Sequence, residues 1–285
     1  MARLFVDNLT VMDFSFLDRE RGVVGESWIV DIVLGGELDD QGMVFDFGHV
    51  KKQIKRFIDA RADHRLLVPV GAEGCRTELA GEELFIEFPL ASGALIRHRS
   101  PRDAVLLVQA DAIDAAQFAG TLAAELEPVM PENVKEVLIT LRPEAIEGAY
   151  FHYTHGLAKH RGQCQRIAHG HRSRLEIAVD GQRDAALEAE WAGRLADSYI
   201  ATEAHIADEA DHGGVTHLTL RYTAAQGDFT LTLPRDQVYV MPLDSTVENI
   251  AGHLADRIAG ATTGDVLVKA FEGVGKGAFG SRTGR

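Results

Sequence analysis

At 285 residues with 46% hydrophobic content, the chain can fill one large core or two of ordinary size. Its 29 lysines and arginines stand against 43 acidic residues, a formal charge of −14 that argues against broad nucleic-acid or anionic-membrane binding. Two cysteines, Cys75 and Cys164, make no disulfide framework, and without an apolar leader or a membrane-length apolar run the expected location is the cytoplasm. Residues 4–16 and 27–34 read as strands, the second closed by Gly35-Gly36. Residues 42–47 read as a short edge strand leading into a helix over 50–58, where Val50, Ile54, Phe57 and Ile58 share a face. Asp63-His64 follows that helix. Strands are expected over 83–88 and 104–108, a helix over 113–126 and a strand over 134–141.

The next stretch places four histidines and a cysteine in one window, from His155 to His171. His169 and His171 open an alternating strand, so both imidazoles point to one face. His155 follows a short aromatic strand, residues 150–153, and a hairpin would bring it alongside. Three neutral imidazoles with an open fourth position is the pattern of a catalytic zinc, and His155, His169 and His171 are the expected ligands. His152 and His160 read as ordinary polar residues. Lys159, Arg161 and Arg166 read equally as a phosphate-facing patch or a solvated loop. Residues 189–210 carry a helical pattern, and Asp211-His212 sits in a Gly-Gly loop.

The second half echoes the first. Residues 105–108 and 111–126 are matched by 238–241 and 244–258, and Glu144 by Glu272. Setting Phe14 against Phe151 and Gly25 against Gly170 puts Asp18 opposite His155, Val24 opposite His169 and Glu26 opposite His171. The chain therefore reads as a tandem duplication of an α+β unit, 1–147 without the metal histidines and 148–285 with them. Gly273 to Gly277 is not a phosphate loop, because no Ser or Thr follows Lys276 and no glycine stands at the earlier position required.

The motif set Gly42-Met43-Val44-Phe45-Asp46-Phe47, Lys51 and Asp63-His64, with His155, Cys164, His169-Gly170-His171, Glu248-Asn249 and Glu272 in the second half, resembles the family of 6-pyruvoyl- and 6-carboxy-tetrahydropterin synthases. The resemblance covers the whole chain as two fused units. It implies two tandem T-fold (tunnelling-fold) units, each an antiparallel sheet with two helices packed on it, assembled as a homo-oligomer with sites between units. It further implies zinc on the three histidines, Cys164 as base, Asp63 and His64 as a proton relay lent by the first unit, and Glu272 gripping the pterin ring. Asp211-His212 is the rival relay. The implied substrate is a pterin triphosphate, 7,8-dihydroneopterin triphosphate, and the implied product 6-carboxy-tetrahydropterin on a deazapurine route. A 6-pyruvoyl product, a non-catalytic pterin- or zinc-binding protein and an unrelated metal-dependent hydrolase are the other readings.

Overall fold

The computed structural model describes residues 1–284. The chain runs β1 (Ala2–Asp18), β2 (Gly22–Gly36), α1 (Phe47–Arg61), β3 (Leu66–Pro69), β4 (Arg76–Ala80), β5 (Glu83–Pro89), β6 (Leu95–Pro101), β7 (Val105–Val108), α2 (Ala115–Leu126) and β8 (Val134–Pro143). It continues β9 (Tyr150–His155), β10 (His169–Val179), β11 (Gln182–Arg183), α3 (Ala185–Leu195), β12 (Ser198–Thr202), β13 (Ile206–His212), β14 (Val215–Ala224), β15 (Gly227–Pro234), β16 (Val238–Met241), α4 (Val247–Ala259), β17 (Val266–Phe271) and β18 (Gly277–Arg282). The order is the same twice: hairpin, helix, strand, three inserted strands, strand, helix, strand. The second copy adds β11 and β18.

Local chemistry fixes the helices. Asp114, Asp184 and Thr246 cap α2, α3 and α4 with side-chain oxygens that accept backbone N–H groups of the first turn. Val50, Ile54 and Ile58 are fully buried along α1. Two expectations are corrected. Residues 42–47 form no strand, because Asp39 accepts from the backbone of Gln41 and Met43 and Gly42 is left-handed (φ 79°), which makes a turn of this stretch. The helical pattern over 189–210 ends at Leu195: Asp197 is left-handed (φ 54°), and the β-rich run Tyr199-Ile200 continues as β12.

Contacts divide the chain into two compact units. One holds Met1–Met12, Trp28–Asp63 and Ile113–Glu144; the other holds Asp13–Ser27, His64–Ala112 and everything from Ala145 onward. In the first, β2 pairs antiparallel with β8 from Trp28↔Pro143 to Gly36↔Val134, α2 packs on β8 and α1 on α2. In the second, β9, β10, β17 and β18 form an antiparallel run backed by α3 and α4, and β12 and β16 extend it in parallel. The end of β1 pairs in parallel with β3, and β3 with β7.

The inserted strands of both copies build one antiparallel sheet in the second unit, in the order β13-β14-β15-β6-β5-β4. Its inner face, with Ile86, Phe88, Ile96, Leu220, Phe229 and Leu231, carries a large part of that unit's core. His98 lies on this face at 3% exposure, and burial pushes its imidazole down to about 4. The unfolded chain protonates this residue below about pH 6.5, whereas the fold keeps it neutral. The stability is therefore fully present above pH of about 6.5 and is lost as pH falls toward 4, by about 3 kcal/mol. His98→Gln is expected to flatten that acid limb in urea unfolding, and an unchanged slope contradicts the assignment. No helix among the described residues is long and apolar enough to cross a membrane.

Candidate metal centre

His155 ends β9 and His169 opens β10, and the antiparallel register sets them directly opposite, with His171 opposite Tyr153. The three histidines are 0%, 0% and 1% exposed. Their ring centroids lie 4.4 Å (155 to 169), 5.4 Å (155 to 171) and 5.8 Å (169 to 171) apart. Two rings have Nδ1 tied to a carbonyl oxygen, His155 to Ser245 O at 2.8 Å and His169 to Arg166 O at 3.0 Å, and His171 Nδ1 faces Asp13 Oδ1 at 3.2 Å. A carbonyl oxygen only accepts, so Nδ1 of His155 and His169 must donate and Nε2 keeps its lone pair. Burial, with His171 alongside, lowers His155 to about 3, and burial drives His169 down as well, so both rings are neutral. The three Nε2 atoms are buried and accept no hydrogen bond among the described residues, and one donor atom from each ring falls within 4.8 Å of the others. Orphaned, convergent lone pairs, two of them on imidazoles that burial keeps neutral, fit zinc.

Two further groups converge on His169. His64, immediately before β3, is left-handed (φ 54°), donates its N–H to Asp13 O at 2.7 Å and accepts from Arg166 Nη1 at 3.3 Å. Its ring centroid is 5.2 Å from that of His169. Cys164 rides on a short 3-10 turn, Gln163–Gln165, and its donor atom, one from His64 and one from His169 fall within 4.8 Å of one another. That turn is held by the inserted sheet: Tyr222 Oη donates to Gln165 O at 2.9 Å, the Gln226 N–H donates to Gln165 Oε1 at 2.7 Å, and Arg166 Nε donates to Gln226 Oε1 at 3.3 Å. Arg166 is thus buried, and the largely exposed Lys159 pairs with Asp244 at 2.8 Å.

Glu272 follows β17, with Oε1 3.9 Å from His171 Nε2, and opens a turn in which its N–H donates to Lys276 O at 3.0 Å. Gly273 is left-handed (φ 69°), and a Cβ there would lie 2.5 Å from Asp13 Oδ1, so only glycine fits. Asp13 is missed by sequence reasoning. It accepts from Ser27 Oγ at 2.5 Å and Lys276 Nζ at 3.1 Å and is 3% exposed. Burial pushes its carboxyl up, but His171, Lys276 and Ser27 outweigh that and hold it below the usual carboxylate range. The available signal was a lone acid inside the apolar run 12–17.

Asp63 belongs to the first unit, where it follows α1, and Glu144 ends the last segment of that unit. Asp211-His212 lies at the exposed end of β13, where Asp211 accepts from the Gly214 N–H, and neither residue belongs to the clusters above. His160 is exposed and accepts from the Gly162 N–H; His152 donates to Gly25 O at 2.7 Å.

The parallel registers correct the alignment of the copies. Leu66 and Tyr199 each come two residues after a left-handed residue, and they pair next to Ser15 and Thr154. Ser15 Oγ and Thr154 Oγ1 hydrogen-bond to each other at 2.8 Å, as symmetry mates would. Phe16, not Asp18, therefore takes the place of His155, while Val24 and Glu26 take those of His169 and His171. A period-2 pattern is unchanged by a shift of two, which is why Phe14 matched Phe151 in sequence. The counterpart of His64 is Asp197, which binds Arg21 at 2.6 Å, and Glu26 faces His152 at 3.8 Å. One ion pair, Arg21 with Asp197, stands where the second copy has His64.

A family model described as 6-pyruvoyl tetrahydropterin synthase matches the chain twice, over residues 12–137 and 146–272. A Pyrococcus horikoshii protein named "Putative 6-carboxy-5,6,7,8-tetrahydropterin synthase" is 22% identical over 135 residues, 47% of this chain and 77% of its own. Among solved structures, the 6-pyruvoyl tetrahydropterin synthase of Plasmodium vivax is 14% identical over 51% of this chain and 93% of its own, with a TM-score of 0.41. The Plasmodium falciparum enzyme is 15% identical over 49% and 90%, also at 0.41. The fold is α+β, with two tandem T-fold units. With both copies matched over most of its length, the chain belongs to the 6-pyruvoyl tetrahydropterin synthase family.

Proposed function

We propose that this protein is a zinc-dependent lyase that converts 7,8-dihydroneopterin triphosphate to 6-carboxy-5,6,7,8-tetrahydropterin, at a centre to which both copies contribute. The observation that carries the reading is the set of three buried Nε2 lone pairs with a thiol and a fourth imidazole beside them. His155, His169 and His171 would hold zinc, which supplies Lewis acidity to side-chain oxygens of the substrate. Cys164 takes a proton from the carbon next to such an oxygen, and His64 passes a proton to or from the departing fragment. Asp63, the residue before His64, is the other member of the proposed relay. Glu272 accepts two parallel hydrogen bonds from the amino-pyrimidine edge of the pterin. The joint between the copies falls near residue 148, and the protein works in the cytoplasm as a homo-oligomer. Mass spectrometry of products from zinc-loaded protein and the triphosphate tests the reaction. Acetaldehyde with a carboxy-pterin is expected; a pyruvoyl-pterin selects triphosphate elimination instead, and unchanged substrate leaves a binding protein.

Asp13 gives the first copy a second role. Its carboxylate faces His171 Nδ1, so it holds the ring with Nε2 directed inward, and through Lys276 it ties the ring to the turn that carries Glu272. Asp13→Asn is expected to weaken zinc binding by about 10- to 100-fold in chelator competition. Unchanged affinity contradicts the role.

A further inference from the structure

We propose that the centre contains a second, overlapping metal position, made by His64, Cys164 and His169, that captures thiophilic ions and so switches the site off. The binding stands on geometry alone; the inhibition rests on the role proposed above for Cys164.

Among the described residues, two sets of three donor atoms each gather within 4.8 Å: His155, His169 and His171, and His64, Cys164 and His169. They share His169. Its Nδ1 is committed to Arg166 O, so Nε2 is its one open donor, and an ion bound by one complete set excludes an ion bound by the other. The sets differ in hardness and access. The first is all nitrogen and fully buried; the second contains a sulfur, and His64 and Cys164 are half-buried, reachable from solvent. A thiolate with two imidazoles suits cadmium, copper(I) or zinc in a tetrahedral arrangement with one place left for water. Both outer residues are held in place: His64 by Asp13 O and Arg166 Nη1, Cys164 by the Leu157 N–H on its carbonyl. An ion in this position occupies the thiol and the imidazole together, which removes base and relay in one step.

Metal-free protein titrated with Cd²⁺, followed by the ultraviolet thiolate-to-cadmium charge-transfer band, tests this directly. The band is expected to saturate at one ion per chain. It should persist in His171→Ala and His155→Ala, which break only the nitrogen set, and weaken about tenfold or more in His64→Ala. Cys164→Ser should lose the band and still bind one zinc. Absence of a band in the parent, its survival in Cys164→Ser, which would put the ion on Cys75, or its loss in both nitrogen-set variants overturns the proposal. A band without any turnover of the pterin triphosphate sinks the enzyme reading and leaves the second position standing.

Discussion

His171→Ala is expected to lower zinc content to background and turnover by on the order of 10³, because the Lewis acid contributes several kcal/mol to stabilising charge on substrate oxygens. The loss arises from removal of one of three buried lone pairs, not from unfolding. His155 and His169 remain anchored by Ser245 O and Arg166 O, and β9 and β10 keep their ladder. The buried ring fills space against Tyr153, 5.4 Å away between centroids, so truncation also leaves a cavity of the kind that costs about 2–4 kcal/mol. His171→Gln separates the two effects, because it keeps much of the volume while losing the imidazole. It should restore thermal stability toward the parent and leave zinc content low. Metal analysis beside a thermal melt reads both, and a His171→Gln protein that retains one zinc per chain contradicts the ligand set.

Cys164→Ala is the second large effect. A positioned acid or base contributes about 10²–10⁴ in rate, so turnover should fall within that range while zinc content stays at the parental level. Cys164 sits on a turn secured by backbone and glutamine contacts, Leu157 N–H to Cys164 O at 2.9 Å and Gln226 N–H to Gln165 Oε1 at 2.7 Å, none of which uses its thiol. Alanine therefore removes the sulfur and little else. Measured zinc content, melting temperature and single-turnover rate separate the outcomes: a lost rate with the other two intact is expected, and parental turnover would move the base elsewhere.

The convergence of His155, His169 and His171 was legible because strand periodicity is strict: residues two apart face one way, and a hairpin brings a third alongside. Helix α2 was legible for the same kind of reason, apolar residues on one face, and α4 as its echo in the second half. What could not be read were contacts set by register. Asp13 meets His171 because the tip of the first hairpin packs against the second, so closely that a Cβ on Gly25 would lie 1.8 Å from Tyr153 O. Local pattern carries no trace of such a meeting. The six-stranded sheet was hidden differently, since β13 is acidic through its middle (Asp208, Glu209, Asp211) and lacks the apolar alternation of a half-buried strand. A clue to it does exist: Pro-Arg-Asp recurs at 101–103 and 234–236, just before β7 and β16, and marks the close of equivalent insertions. Asp197 shows the limit of propensity, because one left-handed residue turned an extended helical pattern into helix and strand.

The central claim is that the copy without metal histidines completes the site of the copy that has them. Zinc content and turnover of His64→Ala, measured on the same preparation, test it most directly. One zinc per chain with turnover reduced by on the order of 10² is predicted, because His64 lies outside the nitrogen set yet beside it. One zinc per chain with turnover at the parental rate would contradict it.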